Sequence, residues 1–423
     1  MLAIVAGCRE LGLAPSGGTP RERYERKLDD AGLLATALGR DWAVAGAAAL
    51  AEAPKYETPL AESGYLAPSR PAAVGFRIAA RRGQRLVVSA SLAGAEAGPL
   101  FLDVYSLAAD SGATPRHLVS ADSGATRLET EIRRDADLLV RLQPELLRGG
   151  RYDIRVHLAP ALGFPVSGRA AAAIRSRFGV ERDAGRRSHE GVDIFAPKGT
   201  PVVAAAPGVA TRVGTNRLGG KVVFVSDPLR EEAHYYAHLD TQLVAEGRRV
   251  AAGDTLGLVG NTGNARTTPP HLHFGIYTRG RGAVDPFPYL AAPDTMPPPL
   301  AVPDASFGGF RRTARAGAVL APVPGADSGI RLAPKSLVAI VGGAGQWYRV
   351  ILPDGTGGYL RGSATEPIAP PLARAPARAR LLERADSGAV AMGALPPQGG
   401  EVVARFGAFD FVRSGDQAGW VAR

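Results

Sequence analysis

The 423-residue chain contains seven histidines, and five of them fall between Ser188 and His273. Three short runs hold four of these five: His189-Glu190-Gly191-Val192-Asp193, Tyr235-Tyr236-Ala237-His238-Leu239 and Pro269-Pro270-His271-Leu272-His273-Phe274. Imidazoles with a nearby carboxylate suit zinc. A catalytic zinc takes three protein ligands from His, Asp, Glu or Cys and leaves one position for water. His189 and Asp193 stand at spacing i, i+4, on one side of a helix or, with even parity, on one face of a strand. Gly191 and the run Val192-Asp193-Ile194-Phe195-Ala196-Pro197 favour the extended setting. His271 and His273 are two apart, so on a strand both reach one centre while Leu272 and Phe274 point into the core. His238 adds another imidazole.

A second reading of His189-Glu190-x-x-Asp193 is the His-Glu-x-x-His helix of zincin proteases. Gly191 within the motif and Pro197 just after it argue against an active-site helix. Strand parity places Tyr236 with His238, either as a hydrogen-bond donor to the reaction centre or packed in the sheet. His234 follows Glu231-Glu232 and reads as solvated. Asn261 and Asn264 either line a groove or shape their Gly-rich turn.

The elements that position this stretch read mainly as β. Thr19-Pro20-Arg21-Glu22 gives a helix start with Thr at the N-cap and Glu at N3. A helical hairpin is expected over 20–54, with Gly39 as a stop and Asp41 capping a second helix from Trp42 to Glu52. Six strand-like segments (Val74–Ala80, Leu86–Leu92, Leu100–Leu107, Arg127–Ile132, Leu138–Leu142 and Tyr152–Leu158) predict a β-sandwich over 70–168. It resembles the pre-peptidase sandwich found beside secreted peptidases. His117 and His157 lie there, outside any cluster, and read as structural or surface. A proline-rich linker from Pro293 to Pro303 follows the histidine-bearing stretch. Two related units, 306–366 and 374–423, then repeat an aromatic strand, an Asp/Gly turn and a Gly-aromatic-aliphatic strand. They resemble bacterial SH3-like domains, small barrels common on cell-wall enzymes.

The formal charge is +10. A basic surface favours anionic partners such as nucleic acid, a membrane or a cell-wall polymer. No Lys/Arg-rich run with interleaved aromatics stands out, so no nucleic-acid partner is expected. The single cysteine, Cys8, excludes an intrachain disulfide. Val5-Ala6-Gly7-Cys8 resembles the lipobox of bacterial lipoproteins, although the basic n-region and long apolar core of a signal peptide are missing. Residues 1–19 therefore read as a truncated signal and tether. They carry the expectation of a cell-envelope, periplasmic protein anchored to the membrane through lipidated Cys8.

Taken together, these runs resemble the lysostaphin/LytM-type zinc metalloendopeptidases, a family of peptidoglycan hydrolases. The match covers Phe178-Gly179, His189-Glu190-Gly191-Val192-Asp193, Ala196-Pro197-Lys198-Gly199-Thr200-Pro201-Val202 and Ala206-Pro207-Gly208-Val209. It continues through Tyr236-Ala237-His238-Leu239, Gly253-Asp254, Gly260-Asn261-Thr262-Gly263, His271-Leu272-His273-Phe274 and Asp285-Pro286. The resemblance implies a β-rich domain over 175–292 with a narrow groove. It implies that His189, Asp193 and His273 bind Zn2+ and that His238 and His271 form the catalytic pair. One of this pair would take a proton from water, and the other would stabilise the oxyanion or protonate the leaving amine. The expected function is hydrolysis of peptide cross-links in peptidoglycan, with D-alanyl–meso-diaminopimelate bonds favoured over Gly-Gly bridges. The alternative is a non-catalytic LytM-type protein that regulates other hydrolases. Loss of ligands would mark it, and all five expected positions are occupied. Whether the N-terminal sandwich covers the groove and inhibits the enzyme is open at this stage.

Overall fold

The computed structural model describes residues 17–107, 114–122, 124–182, 185–291 and 296–423. Cys8 and its lipobox, and Pro293 of the linker, lie outside the described residues. The protein is mainly β and divides into several sheets behind a small helical N-terminus. No helix among the described residues is long and apolar enough to cross a membrane.

Helix α1 spans Pro20–Asp30 and opens on the expected capping box. The Thr19 hydroxyl accepts from the Glu22 amide at 3.1 Å, and the Thr19 amide donates to the Glu22 carboxylate at 2.8 Å. The second helix begins earlier than expected. Helix α2 spans Ala37–Ala51 and is capped by Thr36, whose hydroxyl accepts from the Gly39 amide at 3.1 Å. Gly39 does not stop a helix. It lies in the first turn of α2, where a Cβ would stand 2.0 Å from the Leu33 carbonyl oxygen. The residue that ends α1 is Gly32, in the left-handed region at φ 69°. Trp42 then buries its ring beside Phe101 and donates its indole N–H to the Pro144 carbonyl at 2.9 Å, tying the helices to the sheet behind them.

All six expected N-terminal strands form, and three more join them at Lys55–Tyr56, Leu60–Leu66 and Arg116–Ser120. One layer is a five-stranded sheet built on Val74–Ala80, Ala136–Pro144 and Leu100–Leu107. The other contains Leu60–Leu66, Gly150–Pro160, Gln84–Ala93 and Arg127–Glu131 in that order. Alternating side chains from both layers, including Phe76, Leu86, Val88, Val140, Ile154 and Val156, fill the space between them. His117 reaches the Ser120 hydroxyl at 2.8 Å, and His157 is exposed.

The second layer does not end at the sandwich. Its Leu60–Leu66 strand pairs with Leu337–Ala344, so the first C-terminal unit continues the same nine-stranded sheet. The junction is glycine on both sides, Gly64 opposite Gly342. A Cβ on Gly64 would meet the Tyr152 ring at 2.5 Å, and one on Gly342 would meet the Ser63 carbonyl oxygen at 2.7 Å. Beneath this junction Glu62, 2% exposed, accepts hydrogen bonds from Tyr152 at 2.6 Å, from Arg349 at 2.9 Å and from the Tyr359 hydroxyl. The last unit forms its own six-stranded sheet. Both C-terminal units contain the hairpin read from the repeat, Trp347–Ile351 with Gly357–Arg361 and Phe409–Ser414 with Gln417–Ala422.

Replacing Glu62 by Ala leaves the Arg349 guanidinium and two buried hydroxyls without their shared acceptor. We expect a loss of about 3 kcal/mol in urea unfolding of the full chain. A change below about 0.5 kcal/mol would show that this network does not hold the two units together.

Candidate metal centre

The histidine-bearing segments meet in a ten-stranded sheet. Its main path runs Ile174–Ser176, Val192–Phe195, His271–Thr278, Glu232–Gln242, Gly220–Asp227, Gly208–Asn216 and Arg249–Val250. Side chains alternate across it. Val192, Ile194, Leu272, Phe274, Ile276 and Tyr236 face a core in which each is fully buried. Asp193, His271, His273, Tyr235 and Ala237 face a cleft of about 1170 Å³.

Register brings the donors together. Asp193 lies directly opposite His273, and Ala237 flanks His273 on the other side. His189 is not on the Asp193 strand, which starts at Val192. It sits instead on an arm whose backbone pairs with Gly179 and Val180 at 2.9 Å each way. Gly191 lets this arm turn past His273. A Cβ there would lie 2.7 Å from the His273 ring.

The three donor atoms form a nearly equilateral triangle. His189 Nε2 is 3.0 Å from Asp193 Oδ1 and 3.0 Å from His273 Nδ1, and His273 Nδ1 is 3.1 Å from Asp193 Oδ1. A tetrahedral ion with bonds of about 2.0–2.1 Å would hold its donors roughly 3.3 Å apart. The triangle is therefore of the right size, and this trio could hold a metal ion. Its outer atoms are also engaged. His189 Nδ1 donates to the Arg177 carbonyl at 2.7 Å, which leaves Nε2 unprotonated and facing the centre. Arg182 donates to Asp193 Oδ2 at 2.8 Å and also to the Ser176 hydroxyl. Burial opposes ionisation of Asp193, but its close contacts with the His189 and His273 imidazoles outweigh it and hold the carboxyl well below the usual carboxylate range.

His238 and His271 stand beside the triangle, with ring centroids 5.1 Å apart. His271 Nε2 is 3.9 Å from Asp193 Oδ1. His238 Nδ1 donates to the Thr262 carbonyl at 2.8 Å, and His271 Nδ1 donates to the Pro269 carbonyl at 2.9 Å. A carbonyl can only accept, so in both neutral rings Nε2 carries the free lone pair. The His238 imidazole is pushed down to about 4 by burial, reinforced by the nearby His271 and His273.

Simple alternation would send His238 into the core with Tyr236. A backbone kink prevents it. His238 takes a left-handed φ of 63°, its amide bonds the Gly219 carbonyl at 2.7 Å, and the strand registers shift on both sides. The ring is thereby returned to the cleft. Tyr236 does not share that face. It is fully buried, with its hydroxyl accepting from the Ala205 amide at 2.9 Å. The tyrosine that lines the cleft is Tyr235.

His234 is also placed differently from the expectation. It is 0% exposed on the core face, and among the described residues neither ring nitrogen has a hydrogen-bond partner. The acidic neighbours suggested solvent, but Glu232 is itself buried. It accepts from Arg82 of the N-terminal sandwich at 2.8 Å and from Tyr289 at 2.7 Å. Asn264 lines the cleft, whereas Asn261 bonds within its loop to the Arg266 carbonyl.

The sandwich docks through Arg82 to Glu232 and through Glu131 to Arg230. Glu232 pairs with Thr278. Thr278 is roughly 17 Å along its strand from His273 at the usual rise per residue. Every residue lining the cleft falls between Arg175 and Tyr277. Among the described residues, the sandwich contributes nothing to the groove.

Residues 187–286 match the model of peptidase family M23. The chain is 37% identical over 154 residues to the L-Ala--D-Glu endopeptidase of Bacillus subtilis, covering 34% of this chain and 45% of that protein. It is 39% identical over 97 residues to the peptidoglycan DD-endopeptidase ShyC of Vibrio cholerae, covering 22% of this chain and 21% of that one. Among solved structures, LytU is 41% identical with a TM-score of 0.25, over 27% of this chain and 81% of that one. The catalytic domain of lysostaphin from Staphylococcus simulans is 30% identical with a TM-score of 0.26, over 28% and 93%. The fold and site thus define a peptidase-type domain. Through that domain the chain belongs to peptidase family M23, with lysostaphin/LytM-type neighbours. It spans less than half the length of the two curated relatives named here.

Arg182 carries no motif signal that sequence reading could use. If the trio holds zinc, the Arg182–Asp193 contact predicts that Arg182→Gln weakens its binding by roughly tenfold to a hundredfold, as measured by competition with a chromogenic chelator. Unchanged affinity would mean that the guanidinium does not orient the carboxylate.

Proposed function

We propose that this protein is a zinc-dependent endopeptidase that hydrolyses peptide cross-links of bacterial peptidoglycan, with D-alanyl–meso-diaminopimelate bonds as the favoured target. The observation that carries this reading is the division of one cleft into two donor sets. His189, Asp193 and His273 converge at 3.0–3.1 Å. His238 and His271 stand alongside with their Nδ1 atoms bonded to backbone carbonyls. The first set would hold Zn2+, and the second would move protons. Bound there, zinc supplies Lewis acidity toward the attacking water and the scissile carbonyl.

The chain's own groups do the rest. His238, neutral because burial disfavours its charged form, presents Nε2 to the cleft as an acceptor for the proton of water. His271, with its Nδ1–H fixed on Pro269, presents Nε2 from the adjacent strand. Either ring, once protonated, is placed to stabilise the oxyanion or return the proton to the leaving amine. Arg182 keeps the Asp193 carboxylate turned so that Oδ1 faces the two ligand imidazoles. The intact donor set gives no support to a non-catalytic regulatory role. An envelope address, with peptidoglycan as partner and Cys8 as a lipid anchor, accompanies this proposal.

Alanine at His189, Asp193 or His273 should remove both zinc and cleavage of cross-linked muropeptides. Alanine at His238 or His271 should retain stoichiometric zinc and lower turnover by roughly a hundredfold to ten-thousandfold. Metal content by plasma emission and product analysis by mass spectrometry read the two effects separately. Stoichiometric zinc in any variant of the first group would overturn the ligand assignment.

A further inference from the structure

A catalytic zinc keeps one donor position that no side chain fills, whereas a structural zinc is closed by four protein ligands. His271 stands close enough to fill that position. Its Nε2 lies 3.9 Å from Asp193 Oδ1, against 3.0–3.1 Å for the edges of the donor triangle. Tetrahedral donors sit about 3.3 Å apart, so a shift of roughly 0.6 Å toward Asp193 would bring this nitrogen to ligand spacing. Residue type and strand face do not prevent it. His271 and His273 share one strand and both line the cleft.

Two contacts hold the ring in place. The Pro269 carbonyl accepts from Nδ1 at 2.9 Å and fixes one edge. Phe195 fixes the plane. It lies directly opposite His271 in the antiparallel pair, and the two rings stack at 5.0 Å between centroids and 26° between planes. Among the described residues, the other ring pairs at the centre are tilted or edge-on, His238 against His271 included. Phe195 is backed in turn by Arg175 of the neighbouring strand, whose guanidinium is 5.6 Å from its ring centroid. Arg175, Phe195 and His271 thus form one row across three adjacent strands, and the row ends at the donor triangle.

Resting on the zinc-peptidase reading above, we infer that Phe195 is a positioning residue that keeps His271 off the metal and so keeps one donor position open. Without the flat contact, His271 becomes a third imidazole ligand. The centre then changes from the open, catalytic type to the closed, structural type. It holds metal more tightly and loses turnover. A residue that only packed the strand would lose metal or stability instead.

The test uses the zinc-loaded full chain with Phe195→Ala, Phe195→Leu, Phe195→Tyr and the double variant Phe195→Ala/His271→Ala. Zinc K-edge absorption counts imidazoles, competition with a chromogenic chelator gives affinity, and muropeptide cleavage gives turnover. Phe195→Ala and Phe195→Leu should show three imidazoles where the unsubstituted chain shows two. They should bind zinc about tenfold more tightly and lose turnover by about a hundredfold or more. Leucine preserves most of the volume, so its variant decides the case if alanine unfolds the chain. Phe195→Tyr keeps a flat ring and should retain two imidazoles. The double variant should return to two imidazoles and to the affinity of the unsubstituted chain, which identifies His271 as the added ligand. Two imidazoles and unchanged affinity in the leucine variant would overturn the inference, and a fall in turnover alone would make Phe195 a substrate contact. An unsubstituted chain that holds zinc on two imidazoles yet cleaves no cross-linked muropeptide would sink the peptidase reading. The imidazole count would still decide the role of Phe195.

Discussion

The site depends on one register, Asp193 opposite His273. Strand side chains alternate, so a one-residue slip of Val192–Phe195 against His271–Thr278 would send either Asp193 or its partner into the core. The register is held from the other face. Val192, Ile194, Leu272 and Phe274 are each 0% exposed, and a one-residue slip would put apolar surface into the cleft. Burying a side chain of that size is worth roughly 1.5–3 kcal/mol, so four of them fix the pairing far more firmly than the polar contacts do. The hydrophobic core thus sets the geometry of the polar face.

Two further devices complete the cleft from outside this strand pair. His189 arrives on an arm that depends on Gly191 to pass the His273 ring. His238 arrives through a left-handed kink that reverses the parity of its strand. A non-glycine residue in that conformation costs of order 1–3 kcal/mol, and such strain persists only where the surroundings enforce it. Here the Gly219 carbonyl holds the His238 amide and the Thr262 carbonyl holds its ring. Backbone carbonyls therefore set the tautomers of His189, His238 and His271 alike, through Arg177, Thr262 and Pro269.

Much of this was legible in the sequence because it follows from period and type. Spacing of two put His271 and His273 on one face and Leu272 and Phe274 on the other, as the structure has them. The six sandwich strands and the capping box at Thr19 were equally local signals. Most of what failed was nonlocal. Tyr236 packs in the sheet, one of its two expected placements, but parity wrongly put His238 on the same face, because the kink at His238 depends on contacts with Gly219 and Thr262, distant in sequence. The acidic pair before His234 suggested solvent. Arg82, some 150 positions away, buries Glu232 instead. Gly39 read as a stop for a different, local reason: it lies in the first turn of the second helix, where the lack of a Cβ admits the Leu33 carbonyl six residues earlier. Arg182 has no periodic signature, and only the fold brings it to the cleft.

The most direct measurement is zinc K-edge X-ray absorption on the full chain and on its His271→Ala and His273→Ala variants. The account predicts two imidazole nitrogens and one carboxylate oxygen, with a solvent oxygen, at about 2.0–2.1 Å in the unsubstituted protein. His271→Ala should leave that shell intact, and His273→Ala should remove an imidazole from it or abolish binding. Loss of an imidazole from the His271→Ala shell, with His273→Ala unaffected, would contradict the division of the cleft into ligands and proton carriers.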